Sequence, residues 1–122
     1  MKIGTISIEP TAALAPMAGV GDRAFRELCK DFGAAYLVGE MVSAKGLGQG
    51  SRKSAQLLEL GETEHPCAVQ LFGGDPAAMG EAVALAMDYH PEIIDISMGC
   101  AARKVRGNGA GTALMKHPEL PS

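Results

Sequence analysis

Apolar and polar positions along the 122-residue chain follow two rhythms. Four short apolar runs, "AALAPM" at 12–17, "AYLVGEM" at 35–41, "CAVQLF" at 67–72 and "EIIDISM" at 92–98, have the length and composition of buried strands. Helical spacing fills the intervals. After the first run, Asp22 can cap a helix whose apolar positions Phe25, Leu28, Cys29 and Phe32 fall at i, i+3, i+4 and i+7, with Gly33 as its stop. That pattern puts Cys29 on a buried face. After the third run, Asp75 and Pro76 open a helix carrying Met79, Ala82, Val83, Ala86 and Met87 at helical spacing. The segment 42–64 reads as a glycine-rich loop and then a short helix around Ser54 to Leu60. "GNGAGTALM" at 107–115 has neither a P-loop Lys-Ser/Thr nor a full G-x-G-x-x-G, and reads as a flexible loop.

Strands alternating with helices predict βαβ units and a parallel sheet. Right-handed crossovers then open all strand C-termini on one face, where α/β proteins bind ligands. That face collects "PMAG", "GEMVS", "QLFGG" and "MGCAARK".

Composition narrows the class. Hydrophobic residues make up 47% and charged residues 20%, which suits a folded α/β domain and not a disordered chain. A net charge of -3 leaves no global basic footprint for nucleic acid. No apolar run approaches the ~20 residues of a membrane span, and the N-terminus lacks a signal-peptide pattern. Three widely spaced cysteines suit reduced thiols, so the expected location is the cytoplasm. "HPC" at 65–67 offers two metal-ligand types and no second pair, so no metal is expected.

Three features carry candidate chemistry. Cys29 and Cys67 lie inside apolar patterns and read as packing residues. Cys100 instead follows a strand in a glycine-flanked loop, with Arg103, Lys104 and Arg106 close behind, the setting of an exposed, reactive thiol. Gln70 interrupts an apolar strand, so its amide is satisfied by neighbouring backbone or presented to a ligand. Asp95 and Ser97 share that ambiguity. From Cys100 onward Arg103, Lys104, Arg106 and Lys116 outweigh Glu119, a local excess of positive charge that points to a polyanion.

Taken together, "LAPMAGVGDRAFRELCKDFGAAYLVGEMVSAKGL", "VQLFGGDPAAM" and "IIDISMGCAARKVRGNGAGTALMKHPEL" resemble the tRNA-dihydrouridine synthases, in particular their bacterial B-type branch, in register from about Thr11 to Leu120. The resemblance implies an FMN-bearing TIM (β/α)8 barrel followed by a helical domain, reducing a uridine of tRNA to dihydrouridine with electrons from NADPH. It implies that Pro16, Met17 and Ala18 lie against the flavin, that Gln70 hydrogen-bonds the isoalloxazine edge, and that Cys100 is the catalytic cysteine. Arg103, Lys104 and Arg106 would hold tRNA phosphates.

Two positions depart from the family pattern "N-x-GCP", Ser97 and Ala101, and predict weaker flavin or uracil contacts and a less restrained cysteine loop. The length departs too. A full barrel takes ~250 residues, so residues 1–122 correspond to an N-terminal part of about four βα units, expected to be inactive alone. The expectation is a truncated barrel, with the second barrel half and the tRNA-binding helical domain absent. Alternatives from other classes are a non-catalytic half-barrel that self-associates through open sheet edges or acts as a binding module, and another FMN barrel of the dihydroorotate or old-yellow type.

Overall fold

The computed structural model describes residues 1–117 and Glu119; Pro118 and Leu120, at the end of the family-like stretch, lie outside the described residues. In chain order the elements are β1 (Lys2–Ile3), β2 (Ile6–Ser7), β3 (Ala12–Leu14), α1 (Arg23–Asp31), β4 (Ala34–Ser43), α2 (Ala44–Gly48), α3 (Arg52–Gln56), β5 (Cys67–Phe72), α4 (Pro76–Met87), β6 (Ile93–Ile96) and α5 (Arg103–Arg106). A one-turn 3₁₀ segment precedes β5 at Glu62–Glu64, and a two-turn one follows α5 at Gly111–Lys116. Strands β3 to β6 form one parallel sheet in sequence order, joined by helical crossovers. This is the βα repeat of a TIM barrel over four strands.

Register decides which side chains face which way. β5 and β6 pair Ala68 with Ile93, Val69 with Ile94, and Gln70 with Asp95. Val69, Leu71 and Ile94 pack outward with Val42, Leu47, Leu58, Ala82 and Ala86, the core between sheet and helices. Ala68 and Ile93 pack on the opposite, inner face with Tyr36 and Ile8. Burying Leu37, Leu58 and Leu71 completely contributes about 1.5–3 kcal/mol each. Between Val38 and Met41 the register of β4 slips, because three steps on β4 match two on β5. Such a bulge re-aims the side chains after it. Val42 thereby rejoins the outer core, and Met41 stands beside Gln70 on the inner face.

The caps follow the expected chemistry. The Asp22 carboxylate accepts the Phe25 N–H at 2.9 Å, and Asp75 accepts the Ala77 N–H at 3.2 Å ahead of Pro76.

Four expectations are corrected. Cys29 is only half-buried, while Leu28 and Phe32 are 51% and 85% exposed, because α1 turns Arg26 inward instead. The Arg26 guanidinium is ion-paired with buried Glu64 and donates to the Gly21 and Glu59 carbonyls at 2.8 and 2.9 Å. The glycine-rich start of 42–64 holds a helix, α2, because Ser43 accepts the Gly46 N–H and Leu47 anchors the turn in the core. The following helix runs Arg52–Gln56, earlier than expected, because Ser51 caps it. "GNGAGTALM" is a turn followed by a 3₁₀ segment, with Ala110, Gly111 and Leu114 buried. An N-terminal hairpin of two-residue strands, too short to show as a pattern, turns at Gly4 (φ +57°) and delivers Ile8 to the inner face.

Candidate active site

The C-terminal ends of all four parallel strands meet at one groove of about 490 Å³, lined by Pro16, Met41, Gln70, Ile96, Ser97, Met98, Gly99 and Cys100. Pro16 arrives just past β3, Met41 from the bulged β4, Gln70 from β5, and the rest from β6 and its loop. Ligand sites of α/β barrels occupy this end because the strand termini release the chain into loops there.

Gln70 and Asp95 stand side by side on paired strands, and the Gln70 Nε2 donates to Asp95 Oδ2 at 2.5 Å. The amide is therefore held by a carboxylate and not by backbone. Its second N–H and its oxygen have no partner among the described residues, and it lines the groove. The expected backbone partner is replaced by the Asp95 side chain. Ser97, 8% exposed, is fixed by its backbone N–H donating to the Leu71 carbonyl at 2.9 Å.

Cys100 is half-buried at the rim. The loop bearing it lacks a proline at Ala101, and is anchored from the opposite side: the Thr112 N–H donates to the Cys100 carbonyl at 3.0 Å. Gly111 makes that contact feasible. It adopts φ +59°, and a Cβ there would sit 2.4 Å from the Cys100 carbonyl oxygen.

The loop after β3 is shaped by its own turn. The Met17 carbonyl accepts the Val20 and Gly21 N–H groups at 3.1 and 2.8 Å. Glu40, buried and placed within the β4 bulge, accepts the Gly19 N–H at 2.5 Å. Pro16 reaches the groove, whereas Met17 and Ala18 are exposed and are not among its lining residues. Sequence reasoning missed Glu40; its one signal was an acid inside an apolar strand.

A second, basic groove of about 580 Å³ lies at the same loops, lined by Arg103, Arg106, Gly107, Thr112, Ala113 and Lys116. One turn of helix brings Arg103 and Arg106 together, and buried Val105 holds α5 down. Lys104 is not part of this lining, and Lys116 joins it, a residue that sequence reasoning counted only as charge.

A parallel βα sheet with its groove at the strand C-termini defines a portion of a (β/α)8 barrel of the enzyme type. Comparison with known proteins makes that class specific. The sequence matches the dihydrouridine synthase (Dus) family over residues 13–121, and the chain belongs to that family. It is similar to tRNA-dihydrouridine synthase B of Xanthomonas axonopodis pv. citri (43% identical over 120 residues, 98% of this chain and 36% of the relative). It is similar also to tRNA-dihydrouridine synthase B of Pseudomonas aeruginosa (45% over 121 residues, 98% and 36%) and of Vibrio vulnificus (41% over 121 residues, 98% and 37%). The chain thus spans about a third of the length of these curated relatives.

The groove suits a flat heteroaromatic group such as a flavin ring. Its walls are the apolar side chains of Pro16, Met41, Ile96 and Met98, and its one amide, Gln70, keeps a donor and an acceptor for a polar ring edge. Among the described residues no helix is long and apolar enough to cross a membrane.

Proposed function

We propose that residues 1–122 form the N-terminal part of the catalytic barrel of a cytoplasmic, flavin-dependent tRNA-uridine reductase. The observation that carries this is the convergence of Pro16, Met41, Gln70 and Cys100, from four separate βα units, on one groove. Pro16 would hold FMN in the groove and the Gln70 amide would fix its edge, with Met17 and Ala18 outside the groove lining and so contributing at most at its margin. The chemistry such a cofactor would supply, when bound and reduced by NADPH, is a hydride equivalent for C6 of a uracil ring.

The chain's own residues do the rest. The Cys100 Sγ–H donates the proton that C5 of the uracil needs, from the rim where a splayed-out base enters. Asp95 restrains the Gln70 amide so that its free N–H and oxygen stay aimed at the ligand. Gly111 and Thr112 hold the Cys100 loop in place of a proline. Arg103, Arg106 and Lys116, with Lys104 nearby in sequence, receive tRNA phosphates, a contact that weakens as salt rises.

The test has two parts. First, gel filtration of the chain with FMN should show co-eluting flavin, lost in Gln70→Ala. Second, residues 1–122 joined to the remaining two-thirds of the Pseudomonas aeruginosa relative should form dihydrouridine in tRNA. Replacing Cys100 by Ala should then lower the rate by about 10²-fold or more while flavin binding persists. An unchanged rate overturns the role of Cys100.

A second reading rests on the sheet edges. β3 and β6 are the outer strands of the four-stranded sheet, and Ile96 at one edge is 38% exposed. Self-association through these edges predicts a dimer of this chain in gel filtration; a monomer at micromolar concentration removes it.

A further inference from the structure

Remote from the groove, at the start of β5, lies a second cluster of chemically active side chains. His65, Cys67 and Glu92 bring one ligand-type atom each within 4.8 Å of one another. His65 Nδ1 lies 2.7 Å from Glu92 Oε1 and 3.8 Å from Cys67 Sγ. A thiol–imidazole–carboxylate relay needs a different ring nitrogen for each neighbour. Here both neighbours approach Nδ1, so no proton can pass through the ring from one to the other. Three donor atoms around one point are instead the arrangement of a cation site.

We propose that His65 Nδ1, Cys67 Sγ and Glu92 Oε1 bind a divalent cation of borderline softness, of the Zn²⁺ class, with water in the fourth position. Imidazole, thiolate and carboxylate together are ligands that zinc accepts, whereas magnesium and calcium avoid sulfur. Tetrahedral zinc with ordinary bond lengths separates S from N by about 3.6 Å and N from O by about 3.4 Å. The observed S···N spacing of 3.8 Å already fits. The N···O spacing of 2.7 Å must open by about 0.7 Å as the cation replaces the hydrogen bond between those two side chains. Room for that exists, because the His65 and Glu92 side chains are 35% and 27% exposed. Cys67, 1% exposed, forms the fixed floor.

The surroundings prepare the carboxylate. Glu92 Oε2 accepts the Cys67 N–H at 2.8 Å, and the Glu92 N–H donates to the Cys67 carbonyl at 3.2 Å. One oxygen is thereby tied to backbone while the other faces the cluster, the kind of orienting contact that metal ligands require. The sequence expectation of no metal rested on "HPC" alone; Glu92, 25 residues beyond Cys67, supplies the third ligand only once β5 and β6 pair. The bound cation would fasten the segment before β5 to the segment before β6. The N-terminal face of a barrel is where stability, not catalysis, is built.

The test is titration of the untagged, chelator-treated chain with Zn²⁺ against a chromogenic competitor, followed by Co²⁺ substitution. One equivalent bound, a raised Tm and a thiolate-to-cobalt charge-transfer band are expected. Cys67→Ser should abolish the band, whereas Cys29→Ser and Cys100→Ser should keep it. Because Cys67 is buried, His65→Ala at the exposed rim serves as the variant that spares the core; it should weaken Zn²⁺ by about 100-fold or more, beyond the 10–100-fold typical of an orienting residue. Absence of one-equivalent binding in the parent chain overturns the proposal. So does binding that survives in His65→Ala, or a band that disappears in Cys100→Ser and persists in Cys67→Ser.

Discussion

The two ends of β5 handle buried polarity in opposite ways. At the end bearing Gln70, the amide spends one N–H on Asp95 and keeps its other N–H and its oxygen for the groove. At the start, polar groups meet one another: both Glu92 oxygens are engaged, by His65 and by the Cys67 N–H, and buried Glu64 meets Arg26 and the Gly61 N–H. Capacity left facing an open groove suits a small-molecule ligand. Capacity spent between segments holds those segments together, and a cation at His65, Cys67 and Glu92 would add to that holding.

Breaking the holding end should have the largest effect. Glu64→Ala leaves the Arg26 guanidinium buried without its counter-charge, since both side chains are almost fully enclosed. A loss of about 3–5 kcal/mol is expected, comparable to the whole stability of a small domain. Urea unfolding measures it, and the double variant Arg26→Met/Glu64→Leu should recover most of the loss. A loss below about 1 kcal/mol in the single variant would erase the contrast between the ends.

An intermediate effect is expected at the receiving end from Gly111→Ala. The position is left-handed and its Cβ would strike the Cys100 carbonyl. About 1–3 kcal/mol of stability should go. The more specific readout is the alkylation rate of Cys100, which should change because the loop must shift. An unaltered rate would separate the 111–112 segment from the positioning of the thiol.

Smaller still in stability is Gln70→Leu, which keeps the bulk at a position facing an open groove. Thermal unfolding should move by no more than about 1 kcal/mol, while FMN retention is lost. If instead the variant unfolds and flavin retention tracks only the folded fraction, Gln70 belongs with the holding residues.

These side chains differ also in how visible they are in sequence. The four strands are legible from their apolar runs, but only β4 and β5 are buried as those runs predict; β3, at one edge of the sheet, is exposed at Ala12 and Ala13, and β6, at the other, is half-buried to exposed. Gln70 and Cys100 stand out because each breaks its local pattern. Glu64 and Glu92 were not legible: each is an ordinary acid until the fold brings Arg26 or Cys67 beside it, and Glu40 shows only as an acid inside an apolar strand until Gly19 meets it. Leu28 and Phe32 mislead in the converse way, since helical spacing names an apolar face but not whether a neighbour covers it. A two-residue hairpin leaves too few positions to show any period.

Alkaline pH gives the last prediction, which is silent at neutrality and touches both ends at once. Tyr36 packs on the inner face with Ile8 and Ala68. Burial raises its phenol pKa, and the charge of Asp95 and, once it ionises, that of Cys67 raise it further, one from each end of the strand pair. In the metal-free chain burial, then the charges of Glu92 and Glu64, push the Cys67 thiol up to about 12. Both groups have folded pKa values above their unfolded ones. Their contributions are therefore complete below the unfolded values, near ~8.5 for a thiol and ~10 for a phenol, and are lost as pH rises through the raised ones. From neutrality stability should be level up to about pH 8.5 and then decline. Tyr36→Phe should remove the phenol's share of that decline, and Cys67→Ser the thiol's, as followed by urea midpoints at stepped pH. Asp95→Asn should lower the Tyr36 pKa without altering the thiol's share, because only the groove-end charge has gone. If neither Asp95→Asn nor Cys67→Ser moves the phenol, Tyr36 responds to burial alone and neither end of β5 reaches it electrically.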